Sequence, residues 1–246
     1  MGNRLDPLNV SEEFAKRVAT LPQVDAVVSS VSIATPKFEI LEDNESMVIV
    51  NVISTMTLIL LPASILQVSA LKWDIVPFIS VVGSGIHSWR KVPAWKSPNI
   101  LEAIKRNKDL SLKGSVFPVV VFEAYEADLR RCAVSKLMQI FDVRETASRM
   151  MEKGSKVALN SINPGFAKTE RTRHTTGVQR ISMIVPKALL PRVAKEASKT
   201  LVRAACVGRE SHGLSFTNCG VRLCPRATPQ RLHMDTTPPE ILSRNL

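Results

Sequence analysis

Apolar and polar positions along the chain repeat with two different periods, and the switches between them outline its elements. Val10, Phe14, Val18 and Leu21 recur at helical spacing over residues 9–21, where Asn9 can cap a helix with Glu12 three residues on. A strand is expected at Asp25–Ser30. No charged residue occurs from Ser46 to Leu71, which predicts one long, largely buried helix. After Trp73-Asp74, the run Phe78–Ser84 is apolar enough for a strand covered on both faces. A helix from near Cys132 to about Lys153 turns Ala133, Leu137, Ile140 and Phe141 inward, and a strand follows from Lys156 to Ile162. Residues 194–207 read as a helix with Ala197, Leu201, Ala204 and Ala205 on one face. Leu214–Cys219 makes a last strand after the turn at His212-Gly213. Strands alternating with helices of this length specify an α/β fold with a parallel sheet covered on both sides.

Two segments break the regularity. Residues 85–131 hold the apolar run Val116–Phe122, which has no matching element. A strand-like insertion and translated intron sequence are both open readings of it. After Val221 the chain carries Pro225, Pro229, Pro238 and Pro239 without periodicity, so residues 222–246 are expected to be a disordered tail to a domain spanning 1–221.

Composition narrows the classes. At 246 residues the chain can bury a substantial single-domain core. The net charge of +11 is dispersed, for example over Lys153/Lys156 and Arg180/Lys187/Arg192, and only 5% of residues are aromatic. A platform of interleaved cations and aromatics for nucleic acid is therefore not expected. Cys132, Cys206, Cys219 and Cys224 have neither CxxC spacing nor an accompanying histidine cluster, so no metal site is expected. Cys206 and Cys219 read as small buried hydrophobes in a reducing, cytoplasmic compartment. The N-terminus has no apolar signal-peptide region, and Asp6 breaks the myristoylation pattern opened by Met1-Gly2. The uncharged stretch 46–71 is long enough to span a bilayer. Its polar load, including Asn51, Thr55, Pro62 and Gln67, favours a buried helix, with membrane association as the alternative.

The candidate chemistry lies on three elements. Ser84 follows a strand in Val-Val-Gly-Ser-Gly, Lys136 ends the helical motif Cys132-Ala-Val-Ser-Lys136, and a further strand ends in Asn163-Pro164-Gly165. Asn51 lies on the uncharged helix, and Leu5-Asp6 stands near the start. Residues four apart on a helix share a face, so positions 132 and 136 address one pocket. In this order and on these elements, the residues resemble the short-chain dehydrogenase/reductase family from about Leu5 to Val221. Ile33-Ala-Thr-Pro-Lys-Phe38 and Glu210-Ser-His-Gly213 look most like fungal members, many of which work in secondary-metabolite pathways.

The resemblance implies a doubly wound, Rossmann-like α/β sheet and hydride chemistry with NADP(H) or NAD(H) on the carbonyl or alcohol of a small hydrophobic metabolite. It assigns Ser84 to the substrate carbonyl, Lys136 to the nicotinamide ribose and Asn51 to the support of a water chain. Asp6, Ser30, Ala167 and Thr169 fall at cofactor-contact positions. The chain departs from the family at several points. Cys132 stands where the family has its proton-transferring tyrosine, and the only tyrosine is Tyr125 in the irregular segment. Lys136 would lower a thiol pKa from about 8.5, but a thiol reaches far less deeply into a pocket than a phenol. No GxxxGxG phosphate turn is present, and Ser30-Val31-Ser32 replaces Asn-Ala-Gly. These departures imply a truncated sheet missing the first strands, and impaired activity. The second class of function is a non-catalytic relative that pairs through its long helices, as a homodimer or with an intact homologue.

Overall fold

The computed structural model describes residues 7–35, 37–86, 97–106, 123–165, 194–217 and 220–222. Helix α1 spans Pro7–Ala19 and strand β1 Ala26–Ser29. A small hairpin of β2, Ile40–Leu41, and β3, Asn44–Glu45, follows. The uncharged stretch is a composite: α2 at Ser46–Val48, a π turn at Ile49–Ser54, α3 at Thr55–Leu60 and α4 at Ala63–Trp73. Then come β4, Phe78–Val82; α5, Ile100–Arg106; α6, Glu123–Glu152; and β5, Ala158–Asn163. Helix α7, Ala194–Cys206, leads through a 3₁₀ turn, Gly208–Ser211, to β6, Ser215–Thr217, and β7, Gly220–Arg222.

The main sheet has the order β1-β4-β5-β6-β7. Its first four strands are parallel, in the register Val27↔Ile79, Ile79↔Leu159 and Ile162↔Phe216. Strand β7 returns antiparallel along the edge. This is the expected α/β architecture, a parallel sheet with helices on both faces. On one face, Val27, Ile79, Val81 and Leu159 pack with Val18 of α1, Met56 and Ile59 of α3, Leu66 of α4 and Val143 of α6. On the other, Ile162 and Phe216 meet Ala204 of α7.

That second face also carries a buried polar network. The Ser80 hydroxyl donates to Asn160 Oδ1 at 2.6 Å, and Asn160 Nδ2 donates to Ser211 Oγ at 3.0 Å. Because each polar group is satisfied, three buried polar side chains are tolerated between strands and helix. His212 performs a similar linking role. Its Nδ1 accepts from the Leu159 N–H at 3.0 Å, so its Nε2 is the donor to the Ala147 carbonyl at 2.7 Å. Burial lowers its pKa and keeps that neutral tautomer.

Several expectations are corrected. Helix α1 begins at Pro7, an imino acid favoured in a first turn because it has no N–H to leave unsatisfied, so Asn9 lies inside the helix rather than capping it. Of the expected apolar stripe, Val18 is buried while Val10 and Leu21 are exposed. Helix α6 starts at Glu123, not near Cys132, which places Tyr125 on the helix two turns ahead of Cys132. Cys206 is exposed, not buried. The long helix is interrupted at Leu61-Pro62, since proline cannot continue the ladder. Half of its most apolar window is buried; by length and composition it could also cross a membrane. Val116–Phe122 and the tail from 223 lie outside the described residues.

Asp142 on α6 yields a pH prediction. Burial pushes its carboxyl up to about 6 from an ordinary 3.8. The folded state then holds the proton more tightly than the unfolded chain, so its contribution is full below about 4 and is lost as pH rises through about 6. Asp142→Asn is expected to melt at a higher temperature than the unaltered protein at pH 7.5, and the difference should close near pH 4 in parallel thermal melts.

Candidate active site at the carboxyl ends of β4 and β5

Helix α6 enters the protein with an unbroken buried run, Arg131 through Leu137. A helix buried on every side must satisfy its polar groups internally. Lys136 has only 1% of its surface exposed. Its Nζ donates to the Val82 carbonyl at 3.3 Å and to Gln139 Oε1 at 3.1 Å. Val82 closes β4, so the ammonium lies at the carboxyl end of the sheet, two residues before Ser84.

Ser84 is presented by two close backbone approaches. The Gly83 N–H donates to the Ile162 carbonyl at 2.7 Å, and a Cβ at Gly83 would come within 3.1 Å of Ser161 Oγ. At Gly85 a Cβ would lie 2.7 Å from Asn163 Nδ2, a separation that real Cβ atoms do not adopt. Asn163 in turn accepts from the Gly165 N–H at 3.1 Å, which shapes the Asn-Pro-Gly turn. Ser84 therefore sits in the narrow join between the ends of β4 and β5, half-buried, with its Oγ 3.5 Å from the Ile86 N–H.

Asn51 occupies the middle of the π turn and is fully buried. Its side chain pairs with the backbone of the segment after β1: Oδ1 accepts from the Ile33 N–H at 2.8 Å, and Nδ2 donates to the Ile33 carbonyl at 3.0 Å. Nδ2 also donates to Ser135 Oγ at 3.0 Å, and that hydroxyl donates to the Cys132 carbonyl at 2.9 Å. The Asn51 main-chain carbonyl accepts from Gln139 Nε2 at 2.7 Å. The Cys132 thiol is buried one turn ahead of Lys136. The structure thus joins Asn51, Lys136 and the strand end that carries Ser84, with Cys132 on the same helix. Ser30 is exposed and follows directly on the end of β1, one residue past the Ser29↔Val81 pair, while Asp6, Ala167 and Thr169 fall outside the described residues.

Sequence reading missed Gln139, although its spacing of three from Lys136 on one helix was the available signal. It also missed a clamp beside the site. The Arg131 guanidinium donates to the Thr35 carbonyl at 3.0 Å, lies 3.8 Å from Glu45 Oε1 and covers the Phe38 ring at 5.7 Å. Burial raises the Glu45 pKa, opposed by the Met47 and Val48 N–H groups and by Arg131. No local sequence signal connects residues so far apart along the chain.

No protein-family model matches the chain. Short chain dehydrogenase atnD of Emericella nidulans is 30% identical over 233 residues, 92% of this chain and 69% of that protein. Short chain dehydrogenase/reductase dmxR8 of a Cryptosporiopsis species is 28% identical over 85% of this chain and 60% of its own length. The chain belongs to the short-chain dehydrogenase/reductase family. It spans 50% to 69% of the length of these proteins and of short-chain dehydrogenase anuD of Penicillium roqueforti. Among solved structures, a short chain dehydrogenase from Salmonella enterica serovar Typhi superposes with a TM-score of 0.50 at 14% identity, over 86% of this chain and 69% of that one. An NADPH-bound carbonyl reductase from chicken fatty liver does so with a TM-score of 0.50 at 13% identity, over 85% and 68%. Both share the fold.

The Asn51 side chain should be a structural keystone. Asn51→Ala removes the partner of the Ile33 N–H and C=O groups and one partner of Ser135. A loss of about 2–4 kcal/mol of stability is expected from denaturant unfolding.

Proposed function

We propose that this chain is a short-chain dehydrogenase/reductase-type oxidoreductase for the carbonyl or alcohol of a small hydrophobic metabolite, using NADP(H) or NAD(H), with its proton-transfer step impaired. The observation that carries this reading is the convergence of Ser84 and the buried Lys136 ammonium at the carboxyl end of β4, beside its parallel neighbour β5. That is where open α/β sheets bind their ligands. The chicken carbonyl reductase of the same fold holds NADPH.

The described residues fit one end of such a dinucleotide. Lys136 is a fixed cation suited to a ribose hydroxyl, and Ser84 a hydroxyl suited to a substrate carbonyl. A glycine-rich phosphate turn is not among them. The bound dinucleotide would supply or accept hydride. The chain's own residues would orient the carbonyl at Ser84, hold the ribose at Lys136, and contact the remainder through Asp6, Ser30, Ala167 and Thr169. The likeness to short-chain dehydrogenases of fungi supports a role in secondary metabolism.

Impairment follows from reach. General acid catalysis requires hydrogen-bond contact with the substrate oxygen, and the buried Cys132 thiol ends one bond past Cβ. A phenol at that position projects a whole ring further.

A second reading rests on exposed apolar surface. Among the described residues β1 is an edge strand, with Val28 exposed beside Val31, and α4 exposes Val68 and Leu71. Such a surface suits pairing with an intact homologue or a second copy. Native mass measurement of the chain mixed with a full-length homologue tests this, and monomers alone would remove it.

For the enzyme reading, Cys132→Tyr is expected to raise NADPH-dependent turnover of a panel of hydrophobic ketones by about a hundredfold over the unaltered chain. No turnover by the variant, with its fold intact by circular dichroism, would count against a working site.

A further inference from the structure

We propose that Gln139 is a positioning residue, fixing the Lys136 ammonium through a protein-only bridge to the Asn51 main-chain carbonyl. The proposal builds on the reading of Lys136 as the ribose contact and adds what holds that contact in place.

Gln139 is fully buried on the face of α6 that carries Lys136. Its carboxamide is polarised in one direction: Oε1 accepts from Lys136 Nζ at 3.1 Å, and Nε2 donates to the Asn51 carbonyl at 2.7 Å. The reversed amide would set an NH₂ against an ammonium and one oxygen against another, so the hydrogen-bond chemistry permits a single orientation. The Asn51 carbonyl belongs to the π turn Ile49–Ser54, where the ladder closes over five residues instead of four and carbonyls point differently from those of an α turn. Nζ is also tied to the Val82 carbonyl. A flexible side chain is thereby anchored to its own helix and to β4, and through Gln139 to the π turn.

Two consequences follow. Lysine rotamer freedom is lost on folding rather than on binding, which pre-organises the ammonium for a ligand. The link between Lys136 and Asn51 is also made of a covalently fixed donor and acceptor. A water molecule can reorient and pass a proton along such a link; a packed amide cannot. On this side Lys136 acts as a stationary charge.

The test is a proton–nitrogen NMR spectrum of the lysine ammonium groups in the full chain, with Lys136 assigned by its disappearance in Lys136→Met. In the unaltered protein its ammonium protons should exchange about tenfold or more slowly than those of exposed lysines. Gln139→Leu, close in volume, should abolish that slow exchange. Gln139→Glu keeps an acceptor for Nζ but loses the donor to the Asn51 carbonyl and sets one oxygen against another there, so it should speed the exchange and move the nitrogen shift. If either variant folds and leaves the Lys136 resonance unmoved and its exchange unaltered, the bridge is overturned. The spectrum requires no dinucleotide. A chain that binds none would sink the cofactor reading while leaving this result to stand or fall alone.

Discussion

Keeping a lysine ammonium charged inside a protein core is the most demanding requirement in this molecule, and much of the surrounding architecture answers it. A buried cation without partners is strongly unfavourable. Lys136 receives partners from two directions, the Val82 carbonyl at the end of β4 and the Gln139 amide on its own helix. Gln139 can serve only because its other end is satisfied by the Asn51 carbonyl in the π turn. Asn51, in turn, is held by Ile33 and Ser135. One charge thus couples β4, α6, the π turn and the segment after β1.

The sheet supplies the rigid frame for that coupling. Parallel registers between β1, β4 and β5 bring their carboxyl ends to one edge of the domain. Glycine at positions 83 and 85 lets the end of β4 approach closely, since a Cβ would crowd Ser161 at position 83 and force Asn163 to shift at position 85. Ser84 is positioned by this packing of backbone against side chains, and Lys136 by hydrogen bonds. The two mechanisms meet at Val82.

Local pattern revealed the periodic elements and the order Ser84, Lys136, Asn163, because a hydrophobic repeat and a family motif are both short-range signals. Features that arise from long-range or unusual backbone geometry were hidden. The β2–β3 hairpin turns through Glu42 and Asp43, both at positive φ, where an Asn-Gly pair would have announced it. The π turn has no composition of its own. Helix α6 extends back to Glu123 through a segment whose sequence looked irregular. The Gln139 bond to Asn51 and the Arg131 clamp join residues far apart along the chain, so only the folded chain displays them.

Membership of the short-chain dehydrogenase/reductase family and the buried lysine both point to dinucleotide binding. Calorimetric titration of NADPH into the unaltered chain and into Lys136→Met tests it most directly. Saturable binding is expected, weakened by the substitution about tenfold or more. Equal affinity in the two proteins, or no binding by a folded unaltered chain, would contradict it.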